Sequence, residues 1–311
     1  MQGKENAAGK AGPRLLIVGF AAQDHVFHLP ALPSTGIKYR ATGFAAVGGG
    51  LGANAAVAAA RLGASVTFIT RLGTDSIGRA ILDDLAAEGI DGRLARTFPG
   101  RTSPISAIMV DAAGERMLVN YADPEFPADP GWLPQHLPAE TAAVMGDSRW
   151  PEGSARLFAL ARASGVPSVL DADRALAGDD LLHAASHIAF SAQALREMTG
   201  CDDLAAALAG MAARTASFVA VTDGPRGLWF AGGGTVRHLP AFAVTAVDTL
   251  GAGDVFHGAL TLALGEGQPV EAALRFAAGA AALKCTRFGG RAGAPTRAEL
   301  DRFLASDPAS A

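Results

Sequence analysis

The sequence predicts an α/β fold: a mainly parallel sheet with helices on both faces, plus a small β-sheet lid. Two observations predict the main sheet, because short apolar runs recur along the chain and stretches with helical spacing separate them. A third observation predicts the lid. Two segments, about residues 27–47 and 103–121, interrupt the alternation with turn residues and with the polar–apolar pattern of half-exposed strands.

The apolar runs have the length of buried parallel strands, which are typically almost continuous hydrophobic stretches. The predicted strands are Leu15–Phe20, Val66–Thr70, Ala142–Met145, Val166–Leu170 and Phe218–Val221. The predicted helices are Ala53–Leu62, Ile77–Glu88, Ser154–Ala163, Ala252–Leu264, Val270–Thr286 and Arg297–Leu304. Residues 227–246 favour two further strands joined by a turn at the three glycines 232–234.

The two lid segments differ in their signals. The first contains two prolines and two glycines, whereas the second predicts a hairpin that turns at residues 112–114. We expect both segments to be inserted in one domain that spans residues 14–306. Residues 1–13 are polar and rich in Gly and Ala, and we expect them to form a flexible tail.

Composition excludes several classes of function. The chain has 311 residues, half of them hydrophobic, and a net charge of −4 without a basic run, so nucleic acid is not an expected partner. No stretch approaches the roughly 20 apolar residues that span a bilayer, so we expect a cytoplasmic protein without a membrane partner. Cys201 and Cys285 are too few for a disulfide framework or a Cys-based metal site, and we expect both to be packing residues.

The segment DTLGAGD at residues 248–254 carries the strongest chemical signal. Gly251, Ala252 and Gly253 lie at the start of a predicted helix, where small residues let a ligand approach free backbone N–H groups. Such a turn suits a transferring phosphoryl group, whose oxygens carry the developing charge. Asp254 stands beside it, where a carboxylate can take the proton from an attacking hydroxyl. A glycine-rich turn with an aspartate N-cap is the structural alternative.

DTLGAGDVFHGA resembles the C-terminal signature of the ribokinase-like (PfkB) carbohydrate kinases. The N-terminal signature of that family is matched by GGGLGANAAVAAARLGASVTFITRLGTDSIGRAILDDLAAEGID, which begins at Gly48. The resemblance extends from about Leu15 to Leu304. It implies a ribokinase-like fold, ATP and Mg²⁺ as cofactors, and phosphoryl transfer to a sugar hydroxyl.

The resemblance also implies roles for individual residues. Asp254 would be the catalytic base, and the amides of residues 251–254 would form an anion hole. A carboxylate that binds two hydroxyls of a sugar would orient it strongly. The sugar-binding residues implied in this chain are Asp24, Gly49, Gly50 and Asn54. For Asn54 a helix-start cap is the alternative, and His257 is expected to line the site without acting as a base.

VTDGPRG at residues 221–227 is similar to the strand and turn that contact the nucleotide in this family. The implied nucleotide-binding residues are Thr222, Gly224 and Gly227, and residues 276–286 would wall the adenine pocket. In some members backbone oxygens bind a monovalent cation such as K⁺. The corresponding residues here are Asp248, Leu250, Lys284, Arg287 and Gly289.

The chain departs from the family at one place. Many members carry an Asn-x-x-Glu pair that organises magnesium, and Ser191 and Ala194 stand at the corresponding positions. Mg²⁺ is still required to neutralise the phosphates, so we expect another acid to assist. Asp171 and Asp173 are candidates because ligands of such sheets bind beyond the carboxyl ends of the strands. Ordinary solvated loop acids are the alternative for each.

A closer resemblance concerns the sugar. GERMLVNY, GDSRWPEG and RFAAGAAALKCTRFGGRAGAP resemble the sulfofructose kinases of sulfoquinovose breakdown. This implies that the substrate is 6-deoxy-6-sulfofructose and that Lys38, Asn120 and Arg149 bind its sulfonate. One ammonium, one amide and one guanidinium suit a fixed monoanion with three acceptor oxygens. Exposed charges and a strand-end asparagine are the alternatives for these three residues.

Other functions stay open. A kinase for fructose, a fructose phosphate or another ketose is the nearest alternative, and a catalytically silent sugar sensor would be expected to lose Asp254. GGGLGA at residues 48–53 also fits a dinucleotide loop, with Arg71 placed to meet a 2′-phosphate, and an NADP-dependent oxidoreductase is the distant alternative. That interpretation leaves DTLGAGD unexplained. Because lid strands commonly clasp a second subunit in the resembled family, a homodimer through the lid is also expected.

Overall fold

The computed structural model describes residues 12–306, so residues 1–11 of the expected tail lie outside the described range. In chain order the strands are β1 (Arg14–Val18), β2 (Ala22–His28), β3 (Gly43–Gly49), β4 (Ser65–Ile69), β5 (Arg71–Gly73), β6 (Arg96–Phe98), β7 (Ile105–Val110), β8 (Arg116–Tyr121), β9 (Thr141–Asp147), β10 (Ser168–Ala172), β11 (His187–Ser191), β12 (Phe218–Thr222), β13 (Leu228–Gly232) and β14 (Thr235–Leu239). The helices are α1 (Leu51–Arg61), α2 (Ser76–Ala87), α3 (Pro151–Ser164), α4 (Asp180–Ala184), α5 (Ala192–Thr199), α6 (Leu204–Ala212), α7 (Ala252–Gly265), α8 (Val270–Cys285) and α9 (Arg297–Ala305).

The main sheet of the described range has the strand order β14–β13–β12–β11–β10–β9–β1–β4. The strands from β4 to β12 run parallel, and β13 and β14 extend the sheet as an antiparallel hairpin. Apolar side chains of α1, α7 and α8 pack on one face, and those of α3 to α6 pack on the other. The predicted α/β fold with helices on both faces is therefore confirmed.

The small sheet has the order β3–β2–β7–β8, and it is separate from the main sheet as the sequence predicts. Its first two strands span residues 22–28 and 43–49, so they begin earlier and end later than the predicted segment 27–47. The sequence pattern misses the first residues of β2 and the last residues of β3, because these strand ends are buried. Ala22 and Gly49 are buried there, which hides the polar–apolar alternation that marks the rest of the lid.

The lid faces the carboxyl edge of the main sheet. The four neighbouring strands β9, β10, β11 and β12 end at Asp147, Ala172, Ser191 and Thr222, so three polar residues from distant sequence positions meet at one edge. Ligands of open parallel sheets bind at this edge. Among the helices of residues 12–306, none combines the length and the apolar character needed to cross a bilayer.

Candidate active site

The start of helix α7 forms a tight turn, the anion-binding turn, whose free backbone amides suit a negatively charged ligand. Gly251 caps the helix with φ 76°, a left-handed conformation that favours glycine. The amide of Ala252 donates to the Thr249 carbonyl 3.2 Å away. The next amides, of Gly253 and Asp254, lack an intrahelical acceptor because they belong to the first turn. A Cβ built on Gly253 would meet no atom within 4 Å, so this residue leaves open space for a ligand.

Asp254 is held by a residue 200 positions away in the sequence. The Asn54 side-chain amide donates to Asp254 Oδ2 at 2.7 Å. Close packing of α1 on α7 makes this contact possible, since a Cβ on Gly258 would stand 2.2 Å from the Ala55 carbonyl oxygen. Sequence reasoning missed Gly258, although its place one turn after Asp254 was visible. The Asn54 side chain therefore holds the Asp254 carboxylate and does not cap helix α1.

The environment of Asp254 suits a general base. Burial, together with the nearby carboxylates of Asp173, Asp147 and Asp24, raises the pKa of Asp254 to about 6, although the hydrogen bond from Asn54 acts in the opposite direction. A base whose pKa lies just below neutrality is mostly ionised at pH 7 and still accepts a proton readily. Asn54 Oδ1 is buried without a hydrogen-bond partner among the described residues, so it can accept a substrate hydroxyl.

Asp24 lies on the lid strand β2, with its carboxylate above the loop that enters α1. A Cβ on Gly49 would lie 2.2 Å from Asp24 Oδ2, so only glycine fits beneath this carboxylate. Gly50 has φ 91°, and a Cβ there would lie 2.6 Å from the Phe20 carbonyl oxygen. Burial raises the pKa of Asp24, whereas a hydrogen bond with Ser106 lowers it. The geometry brings three predicted sugar-binding residues, Asp24, Gly49 and Gly50, together.

A row of polar side chains crosses the lid. Asp24 pairs in register with Ser106 of β7, and Ser106 pairs with Asn120 of β8. Residues paired in register point to the same face of a sheet, so all three face one side of the lid. Ser106 did not stand out in the sequence, because its neighbours in this row belong to other strands.

Asn120 and Arg149 line one cavity of about 520 Å³ between the lid and the main sheet. Two further arginines, Arg71 and Arg174, line the same cavity. Arg71 lies over the Trp150 ring, with its guanidinium carbon 4.5 Å from the ring centre. Lys38 lies elsewhere, exposed in the loop between β2 and β3, and does not line this cavity. The structure thus brings together two of the three residues predicted to bind a sulfonate.

The two candidate magnesium acids have different surroundings. Asp173 forms an ion pair with Arg149 and accepts a hydrogen bond from the Ser148 hydroxyl at 2.7 Å. Asp171 is buried, and its pKa lies well above the usual range because of burial and the nearby carboxylates of Asp254, Asp173 and Asp147. Residues 12–306 contain no cluster of three or more His, Cys, Asp or Glu that could hold a metal ion.

His257 is buried behind the anion-binding turn. Its Nδ1 lies 2.8 Å from the Gly253 carbonyl oxygen and 3.3 Å from Asp171 Oδ2, and its Nε2 lies 3.1 Å from the Ala189 carbonyl oxygen. Burial lowers the pKa of His257. The imidazole therefore connects the first turn of α7 to strand β11 and does not face the cavity.

The predicted nucleotide turn joins β12 to β13 at the same edge of the sheet. Gly224 and Gly227 have φ 55° and 91°, and a Cβ on Gly227 would stand 2.2 Å from the Leu239 carbonyl oxygen. Thr222 pairs in register with Ser191 of β11. Ser191 itself caps α5 by accepting the Ala194 amide at 3.0 Å, so this helix start offers no carboxylate to a metal.

One of the oxygens predicted to bind a monovalent cation contacts a protein ammonium. Lys284 Nζ donates to the Asp248 carbonyl oxygen at 2.6 Å, and the Lys284 and Gly289 carbonyl oxygens accept the amides of Arg287 and Ala292 at 3.0 Å. The Asp248 carboxylate accepts the amide of Leu250 at 2.9 Å. The residues of this set lie together, but the ammonium already uses one of the oxygens that K⁺ would need.

The sequence matches a family described as pfkB family carbohydrate kinase over residues 14–297. The chain belongs to this family. Similar proteins include a ribokinase from Haemophilus influenzae, 31% identical over 299 residues that cover 93% of this chain and 98% of the relative. A fructokinase from Klebsiella pneumoniae is 32% identical over 282 residues, covering 82% of this chain and 91% of the relative.

A solved ribokinase from Arabidopsis thaliana, in complex with ribose and ATP, has the same fold. Its TM-score is 0.82 with 25% identity, covering 95% of this chain and 100% of that chain. Together with the pfkB match, these relatives identify an ATP-dependent sugar kinase of the ribokinase and fructokinase type.

The alternative of an NADP-dependent oxidoreductase does not agree with the fold. A dinucleotide loop follows a buried first strand of the main sheet, whereas GGGLGA begins at the end of β3, a mostly exposed strand of the lid. The short glycine motif instead serves the close approach to Asp24 and the entry into α1. Arg71 lines the cavity with Arg149.

Proposed function

We propose that this kinase transfers the γ-phosphoryl group of ATP to O1 of 6-deoxy-6-sulfofructose, giving 6-deoxy-6-sulfofructose 1-phosphate and ADP. The observation that carries the proposal is the shared cavity of Asn120 and Arg149, which joins an amide and a guanidinium below the lid. Arg71 and Arg174 add two further guanidinium groups to the lining, which also contains the carboxylates of Asp123 and Glu152. Such a cavity suits an anionic group at the end of the sugar distant from the reacting hydroxyl.

The reaction uses residues at the start of α7. Asp254 accepts the proton of O1 while O1 forms a bond to the γ-phosphorus, and the bond to the β-phosphate oxygen breaks to release ADP. The amides of Gly253 and Asp254 donate to the transferring group, whose charge they stabilise. Asp24 and Asn54 orient the sugar, so that O1 points toward Asp254.

The sulfonate would compete for Arg149. This guanidinium is paired with Asp173, and its Nε is buried without a hydrogen-bond partner among the described residues. A sulfonate oxygen would satisfy that donor. Lys38 is proposed as the third ligand, although its loop would have to approach the cavity when the lid closes on the sugar.

ATP would bind across the turn that contains Thr222, Gly224 and Gly227, next to the anion-binding turn. Mg²⁺ would neutralise the phosphates and would be held mainly by them. Once a sulfonate draws Arg149 away, the Asp173 carboxylate would be free to face hydrated Mg²⁺, whereas buried Asp171 is poorly suited. K⁺ could be a further cofactor, bound by backbone oxygens between residues 248 and 289, and the Lys284 ammonium is the alternative cation at this place.

A sugar panel tests the substrate. Purified protein with ATP, Mg²⁺ and each sugar is assayed for ADP release, and kcat/KM is compared for 6-deoxy-6-sulfofructose, fructose 6-phosphate, fructose and ribose. We expect the sulfonated sugar to be preferred by far. Faster turnover of fructose or a fructose phosphate would refute the sulfonate assignment and favour the ketose kinase alternative, for which the similarity to a fructokinase is the supporting observation.

A homodimer through the lid is also proposed. The described lid carries large apolar side chains that are exposed in the single chain, including Ile37 at 70%, Val119 at 61% and Phe44 at 59%. Several large exposed apolar side chains on one sheet are typical of protein interfaces. Light scattering coupled to size exclusion would show a mass of two chains, and a monomer at micromolar concentration would contradict the proposal. The cytoplasmic location stays a prediction.

A further inference from the structure

The side chain of Lys284 is the most deeply buried cation of the described chain, with no exposed surface. It lies in the last turn of α8. An ammonium is very rarely buried unless hydrogen bonds and an opposite charge compensate for its lost hydration. Lys284 Nζ lies 2.6 Å from the Asp248 carbonyl oxygen and 3.5 Å from Asp248 Oδ2. Both neighbours are acceptors, and the negative charge of the Asp248 carboxylate favours the charged form of the amine.

Asp248 connects this ammonium to three parts of the active site. Its Oδ1 accepts the amide of Leu250 at 2.9 Å, and its Oδ2 accepts the amide of Gly289 at 2.9 Å. Arg116, at the start of lid strand β8, donates to Oδ1 at 3.1 Å. The segment from Asp248 leads directly to Gly251 and the anion-binding turn. The ammonium therefore neutralises the residue that holds the turn, the loop after α8 and the lid together.

The resemblance to the kinase family places a monovalent cation among the backbone oxygens of this region, and the residues present do not fit one. K⁺ would need the Asp248 carbonyl oxygen that the Lys284 ammonium already occupies. It would also stand within a few ångströms of a like charge, and like charges repel strongly at that distance. Burial lowers the pKa of Lys284, and the Asp248 carboxylate opposes that shift.

We propose that the Lys284 ammonium replaces the monovalent cation beside Asp248, so that this kinase is active without added K⁺. Lys284 is then a positioning residue, because it acts on the phosphoryl group only through Asp248 and the turn at Gly251. The inference rests on the sugar kinase activity and not on the identity of the sugar. Any sugar that the wild-type enzyme turns over serves for its test.

The first experiment uses the wild-type enzyme. Activity is measured with the Tris salt of ATP and magnesium acetate, in tetramethylammonium buffer and in the same buffer with increasing K⁺ up to about 100 mM, near physiological ionic strength. We expect kcat/KM to change by less than about twofold, since an occupied site has no place for K⁺. Activation of fivefold or more by K⁺ would overturn the proposal. A protein with no activity in any salt would instead contradict the kinase function.

The second experiment compares two variants. Lys284→Ala leaves room for an ion, and we expect kcat/KM to fall at least about tenfold and to recover with K⁺ or NH₄⁺ but not with Li⁺. Lys284→Met fills the space without charge and should not recover. The melting temperature of Lys284→Ala should also rise in K⁺ relative to Li⁺, whereas that of Arg302→Met, which removes an exposed cation of α9, should not. A folded Lys284→Ala without recovery would refute the proposal, and if it does not fold, the wild-type result decides.

Discussion

Asp254→Asn should abolish turnover and, at the same time, stabilise the protein above pH 7. Burial raises the pKa of Asp254 from 3.8 to about 6. A carboxyl whose pKa is raised by folding binds its proton more tightly in the folded state, so the folded protein loses stability as the pH rises from about 4 to 6. Above pH 6 the folded protein bears the full cost of burying the ionised Asp254 carboxylate, and the neutral amide of Asp254→Asn removes that cost. A shift of about two units corresponds to about 3 kcal/mol, which partial solvent exposure of Asp254 reduces to about 1–2 kcal/mol.

The assay is thermal unfolding of wild type and Asp254→Asn between pH 4 and pH 8. We expect the melting temperature of the variant to be about 2–5 °C higher at pH 7.5, with the difference shrinking below pH 6. Turnover should fall by about 10²–10⁴ while sugar binding by calorimetry is retained. Asp75→Asn is the matched control, and it should lower the melting temperature at pH 7.5. Asp75 accepts the amides of Gly78 and Ser103 at 2.7 Å, and these hydrogen bonds lower its pKa despite burial. Equal or lower stability of Asp254→Asn at pH 7.5, or turnover close to wild type, would refute this reasoning.

Three further outcomes are expected. In the wild type, kcat/KM should decline below pH about 6 as Asp254 becomes protonated, and a flat profile to pH 5 would exclude it as the base. Arg149→Ala should raise KM for the sulfonated sugar about 10–100-fold and leave fructose little affected, since a charged hydrogen bond contributes about 1.5–3 kcal/mol; equal effects on both sugars would contradict this. Gly258→Ala should lower the melting temperature and kcat, because overpacking costs about 1–3 kcal/mol. Gly210→Ala, on α6 with no atom within 4 Å of the new Cβ, is its control.

The motifs of this chain were predictable where the chemistry is local. The turn at Gly251–Asp254 could be found from small residues ahead of a helix, because one stretch of backbone makes the anion site. The glycines at 49 and 50 belong to the same class, since a side chain there would collide with Asp24 or Phe20. The main strands followed from apolar runs, because both faces of a central parallel strand are buried.

Other features could not be predicted because they depend on contacts between distant segments. Ser106 joins the site only through the register of the lid strands, and Arg174 only through the cavity that it shares with Arg149. Lys38 matched its sequence pattern, yet its loop lies outside that cavity. Arg149 was predicted to bind the sulfonate and Asp173 to assist Mg²⁺, and only the structure shows that the two side chains form an ion pair.

The sequence by itself determined the α/β fold, the lid and the tight turn at the start of α7, because burial periodicity and backbone conformation depend on neighbouring residues. Only the tertiary structure decided what surrounds each charge. It placed Asn54 on Asp254, the arginines in one cavity and the Lys284 ammonium on the Asp248 carbonyl oxygen. Charges interact over a few ångströms in space, whatever their separation along the chain. For this reason only the tertiary structure shows that the Lys284 ammonium occupies an oxygen that the sequence assigned to K⁺.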